Sequence, residues 1–281
     1  MRVDAHQHFW RPERGDYGWL DHAPAALRRT FGPQDLAADL RAQAIYACVL
    51  VQAAPTVEET HYLLGIADAT PFVAGVVGWI DFEAPAQRAQ LERLAAHPAL
   101  VGLRPMVQDI HDDEWVLSRG LQWAFDALQS LGLCFDALGL PRHAPHLLAL
   151  AERHPGLRIV LDHGLKPAIR DGAFDAWARD IRMLADHTQA MCKLSGLVTE
   201  AGTDPSPERL RPYVQHLLEC FGPGRLIWGS DWPVLLASQS YGAWMSTCES
   251  LLNGCSDAER AQIFGLNAAG FYKLERSQAR G

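Results

Sequence analysis

Short runs of aliphatic and β-branched residues recur along the chain, each followed by a stretch with apolar positions three and four residues apart. The runs are RVDAH (2–6), IYACVLV (45–51), FVAGVVGW (72–79), LVGLRP (100–105), LCFDAL (133–138), RIVLDH (158–163), AMCKLSG (190–196) and RLIWGSD (225–231). Runs of this length bounded by turn residues predict buried strands. Between them PQDLAADLRAQ, TVEETHYLLGIAD, PAQRAQLERLAAH and PRHAPHLLALAERH predict amphipathic helices. Helix-start chemistry fits this rhythm: Thr56 precedes Glu59 by three residues, and Ser206 stands before Pro207. Alternating strands and helices predict a parallel sheet of βαβ units, and eight strands are the number that closes a barrel. The expected fold is α/β, a (β/α)8 TIM barrel formed as a single domain over residues 1–281. An open doubly wound sheet is the alternative, but no G-x-G-x-x-G follows the first strand. Long loops are expected after the first and fourth strands, at 9–33 and 105–113.

Bulk properties narrow the partners. A chain of 281 residues with 48% hydrophobic composition can fill a large core. Its net charge is −8 and it has no basic run, which argues against nucleic acid and anionic membranes. The longest apolar stretch, IYACVLVQAAP, is too short to span a bilayer. Met1 to Asp4 lead straight into the first strand, so no signal peptide is expected. Six scattered cysteines form no CxxC pair and read as reduced thiols in a cytoplasmic protein. The expected partner is a small molecule, with the oligomeric state left open. Only three of the 25 basic residues are lysines, Lys166, Lys193 and Lys273.

In such a barrel the chemistry belongs at the C-terminal ends of the strands. Those ends carry His6 and His8, then Gln52, Trp79, Arg104, Asp136, His163, Lys193 with Ser195, and Asp231. Polar groups end nearly every strand. In VDAHQHFW, Asp4, His6 and His8 alternate with a period of two and are expected to share one face. Two imidazoles there either fill a strand end or point into one pocket, as metal ligands or as donors to a reacting oxygen. Asp231 is a general-base candidate or a helix cap. His163 is a site residue or the partner of Asp162. Arg104 and Lys193 either pair with carboxylates such as Asp136 or touch substrate. Asp136 is structural or orients the substrate. Trp10, Trp79 and Trp232 are packing residues or the apolar walls of a sugar site.

VDAHQHFW, GLRP, LDHGLKP, KLSGL, WGSDWP and IFGLNAAGFY resemble the amidohydrolase superfamily. The closer resemblance is to its amidohydrolase-2 branch of sugar-acid lactonases, the L-fuconolactonase type, and it runs from residue 3 to about residue 272. It implies the barrel, hydrolysis of a lactone ring in carbohydrate catabolism, and an active site carried by His6, His8, His163 and Asp231. Two departures matter. Binuclear members carry a carbamylated bridging lysine on strand four, where this chain has Arg104, and a histidine on strand five, where it has Asp136. At most one divalent ion is therefore expected, held by His6, His8, His163 and Asp231, with zinc the chemical fit. The resemblance also extends to lactonases that work without a metal. Arg104, Lys193, Trp79, Trp10, Trp232 and Asp136 are the expected substrate contacts. In this expectation Asp231 activates water against the ring carbonyl of an aldonolactone, and the imidazoles stabilise the oxyanion. The rivals are a lactonase for an aromatic-degradation product (2-pyrone-4,6-dicarboxylate or a muconolactone), a metal-dependent decarboxylase, and a non-catalytic sugar-acid binder. A covalent route through Ser195 is disfavoured, because KLSG lacks the G-x-S-x-G elbow.

Overall fold

The computed structural model describes residues 1–274. Each of the eight strand-like runs forms a strand: β1 Arg2–Gln7, β2 Ile45–Val51, β3 Val73–Gly78, β4 Leu100–Leu103, β5 Cys134–Ala137, β6 Arg158–Leu161, β7 Met191–Leu194 and β8 Leu226–Trp228. They lie in chain order, every neighbouring pair parallel. β8 returns to β1 through backbone hydrogen bonds, His8 N–H to Trp232 O at 2.7 Å and Asp231 N–H to His6 O at 2.8 Å. The expected (β/α)8 barrel is the observed fold.

Helices α1 Pro33–Ala42, α2 Val57–Ala69, α3 Arg88–Ala95, α4 Gln122–Leu131, α5 Ala144–Arg153, α6 Asp175–His187, α7 Leu197–Glu200, α8 Pro207–Phe221 and α9 Tyr241–Leu251 surround the strands, followed by α10 Asp257–Ala261 and α11 Asn267–Phe271. Thr56 caps α2, its Oγ1 accepting from Glu59 N at 3.1 Å. The Glu59 side chain does not close a capping box. It turns back to accept from Ala53 N and Ala54 N at the end of β2. Val3, Ala5, Val49, Val77, Cys134, Val160 and Ile227 pack with Ala268 and Tyr272 into one interior cluster. That packing makes the barrel centre a solid floor beneath the strand ends. Among the described residues no helix is long and apolar enough to cross a membrane.

One period-two expectation fails. The β1–β2 register shifts between Asp4 and Gln7. Such a bulge re-aims side chains, and here it separates Asp4 from His6 and His8. The Asp4 carboxylate accepts from Ser230 Oγ (2.6 Å), Ser230 N (2.9 Å) and Tyr241 Oη (3.0 Å). Asp4 thus fastens the β8 loop to β1. Gly229 completes that junction, because a Cβ there would lie 2.7 Å from His6 Cβ.

Candidate active site

Three imidazoles meet one carboxylate at the C-terminal end of the barrel. Asp231 Oδ1 lies 3.3 Å from His8 Nε2, 3.7 Å from His6 Nε2 and 3.9 Å from His163 Nε2. The helix-cap alternative for Asp231 finds no support, since no side-chain cap bond forms on the turn that follows it. Two of these residues hold left-handed backbone, His163 at φ 55° and Asp231 at φ 59°. For non-glycine residues that conformation costs on the order of 1–3 kcal/mol and tends to occur where surrounding structure enforces a functional geometry. At His163 the enforcement is visible. A Cβ on Gly196 would lie 2.5 Å from His163 Nδ1, so only glycine leaves the ring its place against Ser195 Oγ, 2.8 Å from Nδ1.

The electrostatics are one-sided. Burial alone would raise the Asp231 carboxyl, but His163, His8 and His6 hold it well below the usual range. Burial pushes His163 down to about 4 against the pull of Asp231. Burial, reinforced by Lys193, also lowers His6 well below its ordinary value. At neutral pH the centre is an ionised carboxylate facing neutral His6 and His163 rings.

A second layer lies beneath, and it contains two residues expected to touch substrate. Lys193 and Asp136 are fully buried and paired at 2.6 Å, with Tyr272 Oη donating to the same Asp136 oxygen at 2.8 Å. Lys193 Nζ also reaches Asp162 Oδ1 at 2.9 Å and His6 Nδ1 at 3.1 Å. Both lie inside the floor, and neither lines the cavity. Asp162 pairs with Lys193, Arg104 and His6 rather than with His163. Arg104 donates through Nε to Gln52 Oε1 at 2.9 Å and through its other arm to the Gln52 carbonyl, leaving Nη1 3.4 Å from both Asp162 Oδ2 and His6 Nε2.

The donor set fits a single cation. His6, His163 and Asp231 offer ligand atoms within 4.8 Å of one another. His8 donates from Nδ1 to the Val51 carbonyl at 2.8 Å, so in the neutral ring Nε2 turns a lone pair toward Asp231. Two acceptors at 3.3 Å need a proton or a cation between them. Ligands on a tetrahedral zinc at about 2.0–2.1 Å stand roughly 3.3–3.4 Å apart, near the His8–Asp231 separation. His6 can serve either state. With Lys193 donating to Nδ1, the Nε2–H points toward Asp231. With Nδ1–H given to Asp162, 3.5 Å away, Nε2 is free to bind a metal. The place of a bridging lysine holds the Arg104 guanidinium, a permanent cation that cannot ligate a second ion.

A cavity of about 220 Å³ opens above this centre. That is below the roughly 300–1,000 Å³ of drug-sized sites and suits one small ring. His8, His163, Asp231, Arg104 and Lys166 face it, with Trp19 and Met106 as apolar walls. The expected tryptophans are elsewhere. Trp10 is fully buried, donating to the carbonyls of Leu27 and Arg29 and packed edge-on against Phe31. Trp232 packs against Phe9 and Phe31. Trp79 lines a neighbouring cavity. The indole at the mouth belongs to Trp19, whose Nε1 donates to the Ala53 carbonyl at 2.8 Å. It comes from the long loop after β1, and the only sequence signal for it was that loop's length.

With this geometry in place, the relatives are informative. The amidohydrolase family model matches residues 3–274. The chain belongs to the amidohydrolase family. This amidohydrolase is 47% identical over 280 residues to the L-fucono-1,5-lactonase of Burkholderia ambifaria, covering 98% of this chain and 97% of that one. It is 37% identical to the L-fucono-1,5-lactonase of Burkholderia multivorans, over 98% of this chain and 96% of the other. The crystal structure of an amidohydrolase from Burkholderia multivorans with bound zinc superposes with a TM-score of 0.92 at 36% identity. That match covers 98% of this amidohydrolase and all of the other chain.

Proposed function

We propose that this amidohydrolase opens a sugar-acid lactone of the L-fucono-1,5-lactone kind to the aldonic acid. The observation that carries the reading is Asp231. It is an ionised carboxylate at the floor of a one-ring cavity, with three imidazoles around one of its oxygens. The identity to two L-fucono-1,5-lactonases over nearly the whole chain supports the same substrate class.

In this mechanism Asp231 takes a proton from water, whose oxygen attacks the ring carbonyl carbon. The carbonyl π pair moves onto oxygen, where Arg104 and Lys166 supply positive charge. Collapse breaks the bond from carbonyl carbon to ring oxygen, and Asp231 returns its proton to that oxygen as the ring opens. His6 and His163 face the same Asp231 oxygen, while Asp162 and Lys193 fix the His6 ring. One divalent ion, zinc by the chemistry of its ligands, would be held by His6, His163 and Asp231 with His8 beside them. When bound it supplies Lewis-acid polarisation of the carbonyl. Trp19 offers an apolar face to one side of the sugar ring.

A dicarboxylate substrate fits less well. Arg104 gives most of its donors to Gln52 and Asp162, Asp109 also lines the cavity, and Lys166 is the other cation among the described lining residues. Purified enzyme with a pH indicator and a panel of lactones tests the reading. L-Fucono-, L-galactono- and D-altrono-lactones are expected to release acid with higher kcat/KM than 2-pyrone-4,6-dicarboxylate. The opposite ranking would replace the sugar reading with the aromatic one, and carbon dioxide release would point to a decarboxylase.

A further inference from the structure

The loops after β3 and β4 enclose a second cavity of about 450 Å³ beside the catalytic one. Met106 and Asp109 line both, so the two spaces adjoin. The lining of the second cavity mixes aromatic faces with carboxylates. Trp115 is held in orientation: its Nε1 donates to Glu83 Oε1 at 2.7 Å, and its ring lies stacked at 6.0 Å on Phe82. Trp79 contributes a second indole. Asp81 spends Oδ1 on the Glu83 amide at 2.8 Å, and among the described residues Oδ2 makes no protein hydrogen bond. Among the described residues no lysine or arginine lines the space.

This chemistry disfavours two ligand classes. Carboxylates without a cation repel an anion. An alkyl chain would desolvate those carboxylates without offering them a donor. A neutral sugar ring satisfies both parts, laying C–H faces on the indoles and giving hydroxyl protons to the acids. We propose that the second cavity is a subsite for a neutral sugar ring attached to the lactone, so that glycosylated aldonolactones are substrates. The inference rests on the lactonase reading for the ring in the first cavity.

Saturation-transfer NMR on the whole protein tests it, using methyl glycosides (methyl β-D-glucopyranoside, methyl α-L-fucopyranoside) and aldobionates (cellobionate, lactobionate). Two variants accompany the wild type. Ile110→Trp fills the second cavity, which Ile110 lines without reaching the first. Asp81→Ala removes the free acceptor without adding bulk. The glycosides are expected to bind the wild type and to weaken at least about 5-fold in both variants. Linkage raises effective concentration, so aldobionates are expected to bind at least about 10-fold tighter than methyl glycosides. No transfer from any probe, or transfer undiminished in both variants, would overturn the subsite. Equal affinity for linked and unlinked rings would overturn the attachment to the lactone. Turnover of L-fucono-1,5-lactone in the same preparations separates the two readings. Sugar binding without lactone opening defeats the lactonase reading alone, and opening without binding defeats the subsite alone.

Discussion

Asp231 is where residue-scale chemistry concentrates. Its carboxylate is buried, which by itself would favour the neutral acid, yet three imidazoles keep it ionised. Asparagine at this position keeps the shape and loses the base. Asp231→Asn should therefore lower kcat by roughly 100-fold or more while KM changes much less, because the lost interaction is made mainly in the transition state. Steady-state kinetics of a folded variant check this, and near-normal turnover would remove Asp231 from the base role. That His6, His8, His163 and Asp231 would lie close together could be expected from the sequence, because each lies within three residues of a strand's C-terminal end. Lys193 and Asp136 also sit at strand ends, but side-chain contacts decide their depth, and period-two reasoning carries no contact information. Trp10 and Trp232 were misplaced for a related reason: an indole next to a site residue packs as readily below the mouth as beside it.

At the scale of elements, strand and helix order could be read directly, since each βα unit repeats the same hydrophobic rhythm. The β1 bulge and the left-handed turns at His163 and Asp231 could not. Both arise from tertiary fastening, Asp4 to Ser230 and Gly196 beneath the His163 ring, and neither leaves a local periodicity. The junction of β2 and α2 offers an energetic test. Burial raises Glu59 to about 7, with the Ala54 and Ala53 amides pulling the other way. Its folded value lies above the unfolded one, near 4.3. Its stabilising share is thus complete at acid pH and lost as pH rises through about 7. Glu59→Gln should lose this dependence. In urea unfolding the stability of wild type relative to the variant should fall from pH 5 to pH 8, by up to about 3 kcal/mol at 1.36 kcal/mol per pKa unit. A gap independent of pH would show that the Glu59 carboxylate is not desolvated as described.

For the whole molecule, the barrel brings residues from six strand ends to one cavity. Arg104 and Asp136 stand where a binuclear centre needs a carbamylated lysine and a histidine, and Asp136 is tied up with Lys193 and Tyr272. Elemental analysis should find no more than one tightly bound divalent ion per chain. Two equivalents, both lost together with activity, would contradict this arrangement. The central claim is that water adds to the lactone carbonyl with help from this centre, and ring opening of L-fucono-1,5-lactone in ¹⁸O-labelled water tests it most directly. The expected result is opening faster than the uncatalysed rate, with one ¹⁸O atom in the aldonate carboxylate. Opening no faster than without enzyme, or label on the C5 hydroxyl, would contradict it.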